Sequence, residues 1–315
     1  MRGQLIEGKI EGIDSKGRGI FEHAGKRIHT WFAFPGDIVR VRIEGKHKGK
    51  WIGKREKLIT PSLYRIPARC GHTEITGNCF WQVIQYEQQL ALKRGLVQEA
   101  FDRHHLEITA PLPLSSPHIF NYRNKMEYAI GKGPVIGFRE PKKWWSIIDI
   151  NGCHLQSEDM FPVLHSLKSY LVDYDILPWN LRSHTGFARY LLVREGKFTG
   201  ERMVVLITSE GYLPHRRNLI DRLASHATSI YWGVNSTVSD VAISQRLMLL
   251  EGKEFLREQI GDFTYFIHPH SFFQPNPYFA EELARATLEF ADLKGHERVL
   301  DLYCGSGLLS LHLAR

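Results

Sequence analysis

The chain has 315 residues, 43% of them hydrophobic and 24% charged, the make-up of a soluble globular protein of two or three domains. No apolar run approaches the roughly 18 residues of a membrane helix. The N-terminus Met-Arg-Gly-Gln-Leu-Ile-Glu lacks the apolar core of a secretory signal, so membrane-spanning and exported classes are set aside and a cytoplasmic location is expected.

The net charge of +7 is unevenly spread. Residues 1–60 carry 14 Lys and Arg against 7 Asp and Glu, while the rest of the chain carries 27 of each. A basic N-terminal module on a neutral body fits a polyanion, above all nucleic acid. The alternative is a solvated lysine-rich surface. Four cysteines make no disulfide framework and suit buried thiols or metal ligands.

Residues 3–58 alternate short apolar runs with turn signals at Asp14-Ser15-Lys16-Gly17, Ala24-Gly25-Lys26, Pro35-Gly36-Asp37 and Glu44-Gly45-Lys46. Val39, Val41 and Ile43 alternate with Arg40 and Arg42, which gives one apolar and one basic face. Closely spaced short strands predict a small OB-like barrel. Such a barrel can track phosphates and stack bases, with Trp31, Phe32 and Phe34 as candidate aromatics, at least half of them core.

A linker at 60–67 leads to Cys70-Gly-His72-Thr-Glu-Ile-Thr76-Gly-Asn-Cys79, with Cys153 far downstream. Three thiols could hold an iron–sulfur cluster or, with a histidine, zinc. Residues 83–105 predict an amphipathic helix with Tyr86, Leu90, Val97 and Phe101 as its stripe. Extended structure is expected over 122–138 and 147–150, a helix over 158–174, and strands over 188–194, 202–208 and 230–235. Glu195-Gly196-Lys197 marks a hairpin. The middle of the chain is therefore α+β with much antiparallel sheet.

Ser271-Phe272-Phe273-Gln274-Pro275-Asn276-Pro277 precedes a helix to about Phe290, with Asn276 as N-cap and Pro277 in its first turn. Val299 to Tyr303 then predicts a buried strand, followed by a Cys304-Gly305-Ser306-Gly307 turn and a helix from Leu309. Strand, glycine turn and helix start make the opening of a nucleotide-binding βα unit. Asp301 and the Gly-x-Gly turn suit S-adenosylmethionine better than a dinucleotide, because Ser310 stands where a third glycine would be. An ordinary tight βα turn is the alternative.

Taken together, the basic barrel with Pro-Gly-Asp, the Cys-x5-Thr-x2-Cys loop, Tyr122-Arg123-Asn124-Lys125, Cys153, Ser-Phe-Phe-Gln-x-Asn and Asp-Leu-Tyr-Cys-Gly-x-Gly occur in one order across the chain. This order resembles the RNA uracil-C5 methyltransferase family, which makes 5-methyluridine in ribosomal or transfer RNA. The resemblance implies a TRAM barrel over 1–60, a central α+β RNA-binding domain over 61–265, and the beginning of a Rossmann-like domain for S-adenosylmethionine over 266–315. It implies cofactor contacts from Gln274, Asp301, Tyr303, Gly305 and Gly307, and packing of Phe272 on a flipped-out uracil. Phe272 and Phe273 could instead be core, and Gln274 could merely cap the helix.

Many members bind a 4Fe-4S cluster through Cys-x5-Cys-x2-Cys and a distant cysteine. Here Cys70, Cys79 and Cys153 match and Thr76 takes the remaining position, so full thiolate ligation is not expected. In the family's reaction a thiolate adds to uracil C6, C5 takes the methyl group, and a base removes the C5 proton. The resemblance places that cysteine and its glutamate base beyond Arg315, so the chain as it stands is expected to lack its catalytic C-terminal part. A non-catalytic RNA-binding descendant of the family is the alternative. RNA is the expected partner, with no membrane and no obligate protein partner.

Overall fold

The computed structural model describes residues 1–314. By contacts the chain divides into Met1–Ser115 and Ser116–Arg315. Residues 61–115, read from sequence with the central region, thus keep company with the N-terminal sheet.

In the first unit, β1 (Leu5–Lys9), β2 (Gly12–Ile13), β3 (Gly19–His23), β4 (Lys26–Thr30), β5 (Ile38–His47) and β6 (Lys50–Thr60) form one sheet in the order β1-β5-β6-β4-β3-β2. The long β6 pairs antiparallel with β5 and parallel with β4. Alternation at 39–43 does what its period dictates: Val39, Val41 and Ile43 join Ile6, Phe21 and Ile28 in the core, while Arg40 and Arg42 face solvent. The sheet curls until β1 meets β3. A Cβ at Gly8 would fall 2.0 Å from the Phe21 ring, so only glycine permits that closure.

Asp37 of Pro-Gly-Asp is a buried latch. Its carboxylate accepts from the main-chain N–H groups of Phe34 (2.7 Å) and Ser62 (2.9 Å) and from Arg65 Nε (2.7 Å). Phe34 is core, packed with Phe80 and Trp81, whereas Trp31 stays exposed. The unit also holds α1 (Thr73–Thr76), a 3-10 turn at Phe80–Val83 and α2 (Tyr86–Arg103). The expected apolar stripe of α2 is not buried: none of its residues is, and Val97 is exposed. Its Glu, Gln, Ala, Leu, Lys and Arg content favours a helix, Leu92 packs against Val83 and Ile84, and Arg94 and Gln98 bond the main chain of 108–110.

The second unit is built on a seven-stranded sheet of order β13-β12-β11-β10-β7-β8-β9. Its strands are β7 (Lys125–Gly131), β8 (Val135–Glu140), β9 (Lys143–Asp149), β10 (Ala188–Glu195), β11 (Arg202–Thr208), β12 (Ser229–Val234) and β13 (Arg246–Gly252). β10 and β11 form the hairpin signalled by Glu195-Gly196-Lys197. Between β11 and β12, the one parallel pair, runs α4 (Arg216–Leu223). One sheet face, with Leu191, Val193, Val204 and Leu206, packs against α3 (Phe161–Asp173) and α4. The other face, with Leu192, Val205 and Ile207, receives a separate hairpin, β14 (Leu256–Ile260) and β15 (Phe263–Ile267), and α5 (Pro277–Ala291).

The expected strand over Val299–Tyr303 does not form, so the Rossmann-like opening is represented only by its turn and by α6 (Leu308–Leu313). Leu300 is 80% exposed and Tyr303 fully so. A strand satisfies its main chain through a neighbouring ladder, and among the described residues no strand runs beside 299–303.

Candidate functional site

The segment 268–276 crosses the second sheet face between β15 and α5, and three polar side chains from the sheet side fasten it. Arg194, buried at the end of β10, donates from Nε to the Pro269 carbonyl (2.9 Å) and from Nη2 to the Ser271 carbonyl. Burial pulls its pKa down to about 10, which leaves it charged at neutral pH. Asn124, just before β7, donates from Nδ2 to the Gln274 carbonyl (2.8 Å) and from its main-chain N–H to the Pro275 carbonyl (3.0 Å). Ser244 Oγ lies 2.7 Å from His270 Nε2. Burial, then the nearby Lys125, His268 and Arg194, lower the His270 pKa, so the ring is neutral at pH 7.

Held this way, the two phenylalanines separate. Phe273 is 5% exposed and meets the Tyr265 ring edge-on at 5.3 Å, a core contact. Phe272 is 69% exposed and lines a cavity of about 410 Å³ together with Thr264, Phe266, Ser271, Gly305 and Ser306. The turn carries Tyr303, Gly305 and Gly307 at φ +63°, +57° and +76°. A Cβ at Gly305 would meet nothing closer than the Tyr303 carbonyl oxygen at 3.9 Å, so the turn presents open main chain to the cavity. An exposed ring, hydroxyls and accessible main chain fit the methionine end of S-adenosylmethionine.

Of the residues expected to touch cofactor or base, the cavity gathers Phe272 and Gly305. Gln274, Asp301, Tyr303 and Gly307 do not line it. The Asp301 carboxylate accepts from Ser310 Oγ at 2.6 Å, and the Tyr303 side chain stands in solvent. Asn276 does precede α5, with Pro277 in the first turn, but its side chain makes no cap. Its Nδ2 donates instead to Ser116 Oγ at 2.9 Å. Sequence reasoning missed Arg194 and the Ser244–His270 contact, because nothing near either residue in sequence marks a partner 26 to 77 residues away. Asn124 did carry a signal, as part of Tyr-Arg-Asn-Lys.

The cysteine loop does not fit a four-thiolate cluster. Thr76 is buried inside α1, where its hydroxyl donates to the His72 carbonyl at 3.0 Å. Cys79 is exposed, Cys70 lies 3.8 Å from His72 Nδ1, and Cys153 is buried in the second unit's core with Tyr128 and Met160. Among the described residues no three His, Cys, Asp or Glu side chains gather as a metal site; Cys70 and Cys79 belong to the first unit and Cys153 to the second.

No family model matches the chain. Over 97% of its length it is 38% identical to an uncharacterised RNA methyltransferase of Nanoarchaeum equitans, covering 66% of that protein. It is 37% identical to the 23S rRNA (uracil(747)-C(5))-methyltransferase of Pyrococcus horikoshii, over 98% of the chain and 71% of the relative. The crystal structure of Pyrococcus abyssi tRNA (uracil-54, C5)-methyltransferase in complex with S-adenosyl-L-homocysteine superposes with a TM-score of 0.78 at 35% identity, over 98% of this chain and 70% of that one. The chain thus spans about two thirds to seven tenths of the length of these relatives.

Proposed function

The chain belongs to the RNA uracil-C5 methyltransferase family, and from that membership we propose that residues 1–315 hold RNA and the target base in an S-adenosylmethionine-dependent uridine C5-methyltransferase of transfer or ribosomal RNA. S-adenosylmethionine, when bound, supplies the electrophilic methyl group. The observation that carries the reading is the cavity shared by Phe272 and the Gly305-Ser306 turn. Phe272 offers an exposed ring to an extruded uracil, which cannot be attacked while stacked in a helix. The turn offers main-chain N–H groups to the cofactor. Gln274, Asp301, Tyr303 and Gly307, which do not line the cavity, are assigned cofactor contacts from the family resemblance alone, and the basic sheet of the first unit takes the phosphate backbone.

Addition to C6 requires a thiolate. Cys153 is buried, Cys70, Cys79 and Cys153 are the residues the resemblance gives to a metal set, and Cys304 sits in the turn given to the cofactor. We assign the nucleophile to none of these four, and the C5 base to no residue of 1–315. The test incubates residues 1–315 with labelled S-adenosylmethionine and unmodified tRNA and 23S rRNA transcripts, with 5-fluorouridine RNA as a trap for covalent adducts. Salt-dependent RNA binding without methyl transfer is expected. Turnover or a Cys304–RNA adduct overturns the assignment of the thiol, and failure to bind either RNA overturns the function.

A further inference from the structure

A second cavity in the same unit, of about 520 Å³, shares no lining residue with the one at Phe272. Its volume is within the roughly 300–1,000 Å³ usual for ligand sites. Trp145 of β9, Arg139 of β8, Arg189 of β10, and Trp179 and Arg182 of the connection before β10 contribute to its wall.

The wall is aromatic and cationic. Trp145 is 49% exposed, although its side chain is large and apolar, and the Arg182 guanidinium lies 4.6 Å from its ring centroid. The Arg189 guanidinium lies 4.7 Å from the centroid of Trp179. Lys132, Arg139, Arg182 and Arg189 line the cavity against one carboxylate, Asp240, which already accepts from Arg139 and from the Tyr190 hydroxyl.

Arg189 is buried, and its terminal nitrogens donate to the carbonyls of Asn235 (3.0 Å), Thr237 (2.6 Å) and Ser239. Its Nε and the Nε1 of Trp179 are both buried without a hydrogen-bond partner. Folded chains rarely leave buried donors unpaired. The surplus cations and the exposed Trp145 ring at this cavity call for a ligand with a planar face and negative charge.

We propose that this cavity takes an unstacked nucleotide of the RNA substrate, distinct from the uridine that is methylated. The base lies on Trp145, and the phosphate faces Arg182 and Lys132. Aromatic stacking with arginine support is how single-stranded loops are held. The inference rests on the RNA-methyltransferase reading and adds a second base contact to it.

The test measures binding of the unmodified tRNA and 23S rRNA transcripts to the wild-type chain and to Trp145→Ala, Trp145→Phe and Arg182→Ala, with a melting curve for each protein. Removing one stacked base weakens binding by roughly tenfold. Trp145→Ala is expected to show that loss on at least one RNA, Trp145→Phe to recover most of it, and Arg182→Ala to fall between. Melting should be unchanged, because both side chains reach the surface. Wild-type affinity in Trp145→Ala overturns this inference alone and leaves the proposed function standing. A wild-type chain that binds neither RNA removes the proposed function, and this inference with it. Trp145→Ala that loses affinity for uridine monophosphate but not for either RNA assigns the cavity to a free nucleotide and overturns the proposal.

Discussion

Asp14, Arg18 and His29 are all buried within the first sheet, with Arg18 Nη2 2.5 Å and His29 Nδ1 3.0 Å from the same Asp14 oxygen. Burial alone would raise the Asp14 pKa, but hydrogen bonds from Arg18 and from the main chain of Arg18 and Lys16 outweigh it and hold the carboxyl below its ordinary 3.8. Burial lowers the His29 pKa below 6.5 and outweighs the attraction of Asp14. Both shifts act in one direction. Below pH 6.5 the unfolded histidine binds a proton that the folded one resists, and below pH 3.8 the same holds for the aspartate. Stability is therefore full at neutral pH, falls as pH drops through 6.5, and falls again toward the folded pKa of Asp14. Melting of the full chain between pH 7.5 and 5 should show the first loss, and His29→Gln should reduce it, the remainder coming from His270. A wild-type curve that is level across this window would refute the assignment.

At the scale of elements, the 268–276 crossing depends on side chains that belong to other strands. Asn124→Asp keeps the shape but replaces the amide donor with a carboxylate facing the Gln274 carbonyl. Arg194→Lys keeps the charge but loses the fork that reaches two carbonyls. Each change is expected to cost about 1–3 kcal/mol, the range for leaving a buried polar group unpaired. Denaturant melts measure the cost. Hydrogen exchange should quicken over 270–277 while β10 and β11 stay protected, whereas unchanged exchange there would mean the crossing is held by packing alone. The same dependence explains what was legible in the sequence. β10, β11 and β12 announce themselves as apolar runs because they lie inside a two-faced sheet. β13 is a mostly exposed edge strand with little alternation, and α4 is amphipathic but only eight residues long, so neither was read from the sequence. Val299–Tyr303 carries the pattern without the partner. Apolar composition marks what a segment could pair with, and pairing itself is decided elsewhere in the chain. For the site, Phe272 and the glycine turn were readable as motifs, whereas their scaffold of Arg194, Ser244 and His270 was not.

Across the whole molecule, the net surplus of positive charge lies in the first unit and the Trp145 cavity in the second, so their contributions to binding are separable. Residues 1–60 hold the entire surplus of positive charge, but the arginines of the alternating strand are partly spent within the sheet. Arg40 pairs with Glu7 and Arg42 with Glu56 at the surface. Such exposed pairs contribute little to stability and reduce the net field that a phosphate would meet. Lys26 and Lys46 instead lie 5.4 and 5.2 Å from the Trp51 ring centroid, which places two exposed cations beside one aromatic ring. Phosphate contacts release counterions, with a slope in log affinity against log salt of about −0.7 per contact for single strands and about −0.9 for duplex. Lys26→Gln combined with Lys46→Gln should therefore weaken binding of both transcripts at low salt and make the slope shallower by about 1.5. Trp145→Ala in the second unit should weaken binding with no change of slope, because stacking releases no counterions. Titrations across a salt series distinguish the two contributions. Were the lysine pair to leave the slope unchanged, the surplus charge of the first sheet would be solvated surface and the RNA would be held by the second unit alone.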